Sequence, residues 1–175
     1  MAAALGRGAG MTPNEIEGLK VAALLHDIGK LAVPEHILTK PGRLTPEEMD
    51  TMQKHVLLGS RVLEPIAAFA DILPIVEQHH ERMDGTGYPR GLAGEEIDPL
   101  ARILAVADVF EGLTSDRPYR KARTAGEAMA FLWENRGTAF DTAVVEAMAA
   151  LLDLEPSADE AEAGASADLD EWSVE

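Results

Sequence analysis

The sequence predicts an all-α fold, and three observations support this prediction. Hydrophobic residues make up 46% of the chain but aromatic residues only 5%, a balance that favours packed helices over aromatic-rich strands. Several stretches repeat apolar residues every three or four positions, which is the spacing of one helix face. Two of them open with an N-cap, a proline and a capping-box glutamate: Thr12-Pro13-Asn14-Glu15 and Thr45-Pro46-Glu47-Glu48.

The first of these helices is predicted to carry a histidine onto its buried face. Aliphatic residues at 16–23 fall at helical spacing, and His26 continues their stripe. Asp27 follows directly, and a carboxylate drawn toward a core is costly unless it is paired or bound to a metal. Gly29 is expected to end the helix, which lets Lys30 turn back. The residues alone leave two interpretations open, a hydrogen-bonded core pair and a metal site.

Three further histidines of interest come from the next two predicted helices. The second helix is expected over residues 45–65 and carries His55, and a short third helix ends in the adjoining pair His79 and His80. Neighbouring residues on a helix point about 100° apart, so one of the pair can reach a site directly while the other approaches from its rim. Taken alone, His55 also fits a helix boundary and the pair fits a solvated surface. His36 is predicted to be structural or solvent-exposed.

An ordered loop is predicted at residues 79–92. Asp-Gly, two further glycines and Pro89 demand specific turns there. A helix follows from Leu100, and Asp108 and Glu111 occupy positions at which its apolar stripe would continue. Residues 116–121 then form a compact basic cluster in an otherwise acidic chain.

The charge of the chain is concentrated at its C-terminal end. The net charge is −16, and residues 153–175 hold nine acidic residues with no Lys or Arg, which leaves −7 on the other 152 residues. The acidic stretch is predicted to be a disordered tail. A mildly acidic body argues against binding to duplex nucleic acid, because phosphate-backbone binding needs a basic face.

Composition also limits the chemistry and the location. The chain contains no cysteine, which excludes disulfides, thiolate nucleophiles and Cys-ligated zinc, so that any metal site must use His, Asp, Glu and water. The sequence contains no apolar run of the length that a signal peptide or a membrane segment needs. A cytoplasmic protein without a membrane segment is therefore expected.

Four motifs in order resemble the HD-GYP domain, a branch of the HD superfamily of metal-dependent phosphohydrolases. They are His26-Asp27-Ile28-Gly29-Lys30, Lys54-His55, His79-His80-Glu81 with Asp84-Gly85-Thr86-Gly87-Tyr88-Pro89, and Ala107-Asp108-Val109-Phe110 continuing to Arg117-Pro118-Tyr119-Arg120. The resemblance covers about residues 5–150. It implies an HD-domain-like helical bundle at 5–152, followed by the acidic tail at 153–175.

The resemblance also implies an activity. It is hydrolysis of the bacterial messenger cyclic di-GMP to the linear dinucleotide or GMP, at a site that holds two or three divalent metal ions, usually iron or manganese. By position, the metal ligands would be His26, Asp27, His55, His79, His80 and Asp108.

Other motif residues have expected roles in this scheme. Asp27 would act in catalysis by bridging two cations with its two oxygens. Lys30 would also be catalytic and would bind substrate by lying beside the phosphate. Arg117 and Arg120 would hold the second phosphate through bidentate contacts, and surface salt bridging is the alternative for both arginines. The substrate, or a signalling-protein partner, would contact the loop at Gly87, Tyr88 and Pro89.

Two departures from the family pattern leave alternatives open. No histidine precedes His26, whereas similar family members donate another ligand from an earlier helix. The domain is therefore expected to be truncated at its N-terminal end, as a fragment, a sequence with a misplaced start, or a shortened protein with an incomplete site. Glu111-Gly112 stands where the family more often has Asp-Ala. Besides a cyclic di-GMP phosphodiesterase, the chain could be a phosphohydrolase of another nucleotide or a catalytically weak module that binds a nucleotide or a protein. A homodimer is compatible with each.

Overall fold

The computed structural model describes residues 1–116 and 121–154, and these residues fold as helices without a β-strand. The α-helices are α1 (Ala2–Gly8), α2 (Pro13–Leu25), α3 (Glu35–Leu38), α4 (Pro46–Gln53), α5 (His55–Leu63), α6 (Leu73–Gln78), α7 (Pro99–Thr114), α8 (Ala125–Glu134) and α9 (Thr142–Leu152). The predicted all-α fold is confirmed. Arg117, Arg120 and most of the predicted acidic tail lie outside the described residues. None of the described helices has the length and apolar character needed to cross a membrane.

Capping boxes begin α2, α4 and α8. At α2 the backbone N–H of Glu15 donates to Thr12 Oγ1 at 3.3 Å, and the Thr12 N–H donates to Glu15 Oε2 at 2.7 Å. Thr45 starts α4 in the same way. Both start sites agree with the sequence prediction, because the capping box is a local device that needs no tertiary partner. Thr124 does the same for α8 without a following proline.

The core lies around α7. This helix buries a broad apolar face that includes Ile103, Leu104 and Ala107, as its spacing predicted. Helices α1, α2, α6, α8 and α9 pack against α7. A smaller cluster, formed by Val33, Ile37 and Met52, joins α3 to α4. Asp108 of α7 thereby lies 3.4 Å from Nε2 of His26, at the end of α2.

The predicted second helix is two helices. α4 ends at Gln53 and α5 begins at His55, with Lys54 between them. Lys54 has ψ −17°, flatter than the −42° of a regular α-helix, which tilts the chain at this point. The apolar spacing runs on across the junction, so the break was not visible in the sequence. It makes His55 the first residue of a new helix.

Gly29 does not end α2, which corrects the sequence prediction. The helix already ends at Leu25, and Gly29 lies inside a 3₁₀ helix, Ile28–Ala32. A glycine is needed at position 29 because the backbone there packs closely on α5. An added Cβ would lie 1.9 Å from the carbonyl oxygen of His55 and 2.5 Å from the backbone nitrogen of Gly59. The segment that follows Asp27 therefore packs backbone against backbone on α5.

Replacing Gly29 with alanine is expected to lower the free energy of unfolding by about 3 kcal/mol or more, because the new methyl group forces the 3₁₀ helix away from α5. Urea denaturation of the metal-free protein measures this. Gly126→Ala is the matched control, since nothing lies within 4 Å of a Cβ there, and it should leave the stability unchanged or slightly higher. A wild-type unfolding midpoint for Gly29→Ala would contradict the close contact.

Candidate metal centre

Four histidines from three helix ends converge on one cluster. His26 is the C-cap of α2, His55 begins α5, and His79 is the C-cap of α6 with His80 directly after it. The ring centroids of His79 and His80 are 4.0 Å apart, those of His26 and His79 are 5.0 Å apart, and those of His55 and His80 are 5.3 Å apart. Residues distant in sequence are therefore side by side.

Three of these histidines are oriented by the same kind of hydrogen bond. In each one Nδ1 donates to the carbonyl oxygen three residues earlier: His26 to Ala23 at 3.0 Å, His55 to Met52 at 2.8 Å and His79 to Val76 at 2.7 Å. A carbonyl can only accept, so a proton must occupy Nδ1. In the neutral ring Nε2 then carries a lone pair aimed at the cluster, which is the tautomer that a metal-ligating histidine uses.

Asp27 lies between the histidines and faces two ways. Its Oδ1 is 3.4 Å from Nε2 of His55, and its Oδ2 is 3.3 Å from Nε2 of His26. Lys30 Nζ donates to the same Oδ2 at 3.0 Å. Asp108 reaches the cluster from α7, with Oδ1 3.4 Å from Nε2 of His26. We call Asp27, His55, His79 and His80 the His55 side, and His26, Asp27 and Asp108 the His26 side.

Buried polar atoms without partners concentrate in this cluster. Among the described residues, seven buried side-chain N or O atoms have no hydrogen-bond partner, and five of them belong to the cluster. Each such atom costs about 1–3 kcal/mol when it is left unsatisfied. Four of these five atoms are Nε2 of His55, His79 and His80 and Oδ1 of Asp27. The fifth, Nε2 of His26, lies 3.3 Å from Asp27 Oδ2 and 3.4 Å from Asp108 Oδ1, and it pairs with these carboxylates when the ring is protonated. A bound cation would satisfy the four atoms on the His55 side together.

The His55 side fits one cation. Its four residues each offer a ligand atom, and these atoms all lie within 4.8 Å of one another. Donors on one cation at 2.0–2.2 Å lie up to about 4.4 Å apart, so small inward movements of the side chains complete the fit. The His26 side offers one nitrogen and carboxylate oxygens to a second cation. Nitrogen and oxygen donors without thiolate suit iron, manganese or zinc.

The histidines differ in charge between the two sides. Burial lowers the pKa of His55 and His80, and it lowers the pKa of His79 to about 3. These rings are neutral near pH 7 and have no proton to lose to a cation. Burial alone would also lower the pKa of His26, but its contacts with Asp108 and Asp27 raise it to about 10. A cation that binds through Nε2 of His26 must therefore displace a proton.

Both carboxylates stay ionised in this setting. Burial by itself would raise the pKa of Asp27, but His26 and Lys30 hold it far below its usual value. Burial acts in the same direction on Asp108, and its contact with His26 lowers the pKa. Two negative charges are therefore available to a cation pair.

The predicted loop at 79–92 folds back over the cluster. Tyr88 N donates to His80 O at 3.2 Å, and the Tyr88 ring stacks on His80 with centroids 4.8 Å apart and an angle of 26°. Gly87 lies against the chain at His80–Arg82, where a Cβ would come within 2.5 Å of the Arg82 nitrogen. The glycine of the Gly-Tyr-Pro sequence is therefore required by packing, whatever it contacts in a ligand.

Several residues singled out in the sequence lie elsewhere. His36 is exposed and is not part of the cluster, as predicted. Glu111 is exposed, so the prediction that it continues the buried stripe of α7 is wrong. Asp108 alone carries that stripe into the cluster.

Sequence reasoning gave no role to Glu81, which is 4% exposed, although a charged residue directly after the histidine pair was the available signal.

Comparison with known proteins places these features in a family. The family model described as "HD domain" matches residues 1–144. The chain is 45% identical over 141 residues to the cyclic di-GMP phosphodiesterase response regulator RpfG of Xanthomonas campestris pv. campestris, covering 79% of the chain and 37% of that protein. It is 43% identical over 138 residues to the 3′3′-cGAMP-specific phosphodiesterase 3 of Vibrio cholerae, covering 79% of the chain and 30% of that protein.

A solved structure supports the same relationship. Bd1817, an HD-GYP-type protein from Bdellovibrio bacteriovorus, superposes with a TM-score of 0.69 at 26% identity, over 86% of this chain and 48% of that one. The chain thus spans about a third of the length of the curated relatives named above and about half of this structure.

Removing His55 is expected to cost the protein one bound ion. His55→Ala should lower the metal content after loading with Mn²⁺ and gel filtration by about one ion per chain relative to the wild type, because the His55 side loses a buried nitrogen ligand. His36→Ala is the matched control and should leave the content unchanged. Elemental mass spectrometry gives the ratio. Equal contents in wild type and His55→Ala would contradict a cation at this side.

Proposed function

The chain belongs to the HD domain family, in its HD-GYP branch, and from this membership we propose that it is a metal-dependent phosphodiesterase that hydrolyses cyclic di-GMP. The products are the linear dinucleotide or GMP. The observation that carries the proposal is the set of buried, unpartnered Nε2 and Oδ1 atoms around Asp27. Burying these atoms without partners costs free energy of folding, and a bound cation would offset this cost.

We propose that the site binds two divalent cations, iron or manganese, with one on the His55 side and one on the His26 side. Binding of a third cation is part of the same proposal. Asp27 serves both sides, because its Oδ1 faces His55 and its Oδ2 faces His26. When bound, such a cation pair supplies a water of lowered pKa and neutralises charge that develops on the phosphate. The ligands are His26, Asp27, His55, His79, His80 and Asp108.

Lys30 is proposed to hold a substrate phosphate. Its ammonium group is paired with Asp27 Oδ2 at 3.0 Å, and the side chains of Lys30 and Asp27 are 21% and 39% exposed, so a ligand can reach this ion pair from solvent. An ammonium group is a compact point charge that can pass from a carboxylate to a phosphate oxygen with little movement. Lys30 would thereby guide the scissile phosphate toward Asp27.

The rest of the substrate is proposed to lie between the Gly-Tyr-Pro loop and the basic cluster. The Tyr88 ring stacks on His80, and Gly87, Tyr88 and Pro89 would contact the nucleotide. Arg117 and Arg120 would hold the second phosphate, because the planar guanidinium group makes bidentate contacts with phosphate oxygens. With a cytosolic messenger as substrate, the proposal includes a cytoplasmic location. A signalling-protein partner at the loop and a homodimer stay predictions.

A second candidate substrate is 3′3′-cGAMP. A Vibrio cholerae relative at 43% identity carries that specificity in its name. Both cyclic dinucleotides present the same two phosphates to the cluster and differ in one base. Comparing turnover of the two, each at the same concentration with the Mn²⁺-loaded protein, decides between them. Binding of either nucleotide without turnover would favour the catalytically weak module instead.

Replacing Asp27 with asparagine should lower the rate of cyclic di-GMP hydrolysis by more than about 100-fold, because the amide cannot bridge two cations and loses a negative charge. Separation of the dinucleotide product by liquid chromatography measures the rate. Asp71→Asn, an exposed carboxylate on the 3₁₀ helix Ala67–Ile72, is the control and should keep the wild-type rate. Retained activity in Asp27→Asn would rule out the proposed bridge.

Arg117→Ala and Arg120→Ala should each weaken cyclic di-GMP binding by about tenfold or more while the metal content stays the same, since they are proposed to touch phosphate and not cations. Isothermal titration with a slowly hydrolysed phosphorothioate analogue gives the affinity. Arg61→Ala, at an exposed position of α5, serves as the charge-matched control. Unchanged affinity in both variants would remove these residues from the binding site.

A further inference from the structure

His80 differs from the other three histidines in how it is held. His26, His55 and His79 each have Nδ1 bonded to a backbone carbonyl. Within residues 1–116 and 121–154, no hydrogen bond orients the ring of His80, and its Nε2 is buried without a partner. A ligand without such a bond needs another contact to fix the plane of its ring.

The ring of Tyr88 is that contact. It stacks on His80 at 4.8 Å between centroids with an angle of 26° between planes. Stacking of this kind restricts rotation of the imidazole about its Cβ–Cγ bond, because the ring would have to leave the face of its neighbour. His80 also lies beside His79 and His55, with centroids at 4.0 Å and 5.3 Å, but only the Tyr88 ring is close to parallel with it.

Glu81 keeps Tyr88 in that position. Its carboxylate accepts the backbone N–H of Arg90 at 2.7 Å through Oε1 and that of Leu92 at 3.0 Å through Oε2. Glu81 is nearly fully buried, with 4% of the residue exposed, so its carboxylate relies on these two bonds in place of water. Because Glu81 follows His80 directly and Arg90 follows Tyr88 by two residues, the carboxylate ties the two ends of the loop together around the stacked pair.

We propose that Tyr88 and Glu81 are positioning residues for the metal ligand His80: the tyrosine ring sets the imidazole plane, and the carboxylate holds the tyrosine. The inference rests on the proposed function in so far as His80 binds a cation. In this proposal the Gly-Tyr-Pro loop orients a metal ligand whether or not substrate is bound.

A metal titration of the full chain tests this without any activity assay. Co²⁺ affinity is measured by competition with a chromophoric chelator, and the visible absorption bands of bound Co²⁺ report the ligand geometry. Tyr88→Leu removes the ring, and Tyr88→Phe keeps it. Glu81→Gln keeps the shape of the carboxylate but replaces one acceptor oxygen with a donor. Thr86→Ala is the control within the same loop, because among the described residues the Thr86 side chain bonds only to Asp84.

Tyr88→Leu and Glu81→Gln should each weaken Co²⁺ binding by about 10-fold or more and change the absorption bands, as is typical when the support of a ligand is lost. Tyr88→Phe and Thr86→Ala should stay within about twofold of wild type. Circular dichroism of the metal-free variants shows whether each one is folded.

The decisive comparison is made in a His80→Ala background. If Tyr88 acts through His80, adding Tyr88→Leu there should change the Co²⁺ affinity by less than about twofold. The same loss in both backgrounds, or equal losses for Tyr88→Phe and Tyr88→Leu, would overturn the positioning role. A His80→Ala protein with wild-type affinity would overturn it together with the proposed ligand set. An effect of His80→Ala without one of Tyr88→Leu overturns the positioning role alone.

Discussion

The backbone contact between Gly29 and α5 is the constraint on which the candidate centre depends. Asp27 and His55 come from different parts of the chain, and their side chains meet only because the segment after Asp27 lies directly on the start of α5. A Cβ at Gly29 would lie 1.9 Å from the His55 carbonyl oxygen, whereas a Cβ at Gly59 would lie 3.2 Å from the Gly29 nitrogen. The absence of a side chain at Gly29 and Gly59 thus lets the 3₁₀ helix pack closely on α5. The contact is tighter at Gly29 than at Gly59.

Hydrogen bonds to carbonyl groups at helix ends orient three of the four histidines. The last carbonyl groups of a helix have no partner within the helix. His26, His55 and His79 each follow the last residue of a helix by one or two positions, and each uses a carbonyl from the last turn of that helix to bind its Nδ1. One local device, repeated at the ends of α2, α4 and α6, therefore satisfies a helix end and directs Nε2 inward. Only the tertiary packing brings the three ends together.

The charges of the cluster fit the same picture. Imidazoles that burial keeps neutral surround the Oδ1 side of Asp27, while a protonated His26 lies between Asp27 and Asp108. The positive charges of His26 and Lys30 balance the two carboxylates in the absence of a cation. Cations bound to the unpartnered Nε2 atoms, with the His26 proton released, would neutralise the two carboxylates in its place. The cluster can therefore fold without a cation and still bind one.

Much of this protein was predictable from its sequence, because the relevant information is local. Helix starts at Thr12 and Thr45 follow from capping chemistry, and the apolar face of α7 follows from spacing. The motifs that resemble the HD-GYP domain supplied the candidate ligands His26, Asp27, His55, His79, His80 and Asp108, which the residue types alone left open. The position of His36 outside the cluster was also predicted. Such features depend on a residue and its neighbours within one or two turns.

The tertiary structure decided what depends on distance between elements. The break at Lys54 was hidden because the apolar spacing continues across it, and the true role of Gly29 was hidden because its close neighbour is the backbone of α5. Glu111 shares a spacing with Asp108 but points to solvent, since the cluster covers only part of the face of α7. The burial of Glu81 and the stacking of Tyr88 on His80 likewise arise from a loop that folds back on its own start. Spacing along the chain reports which face a residue occupies, and only packing determines what lies opposite that face.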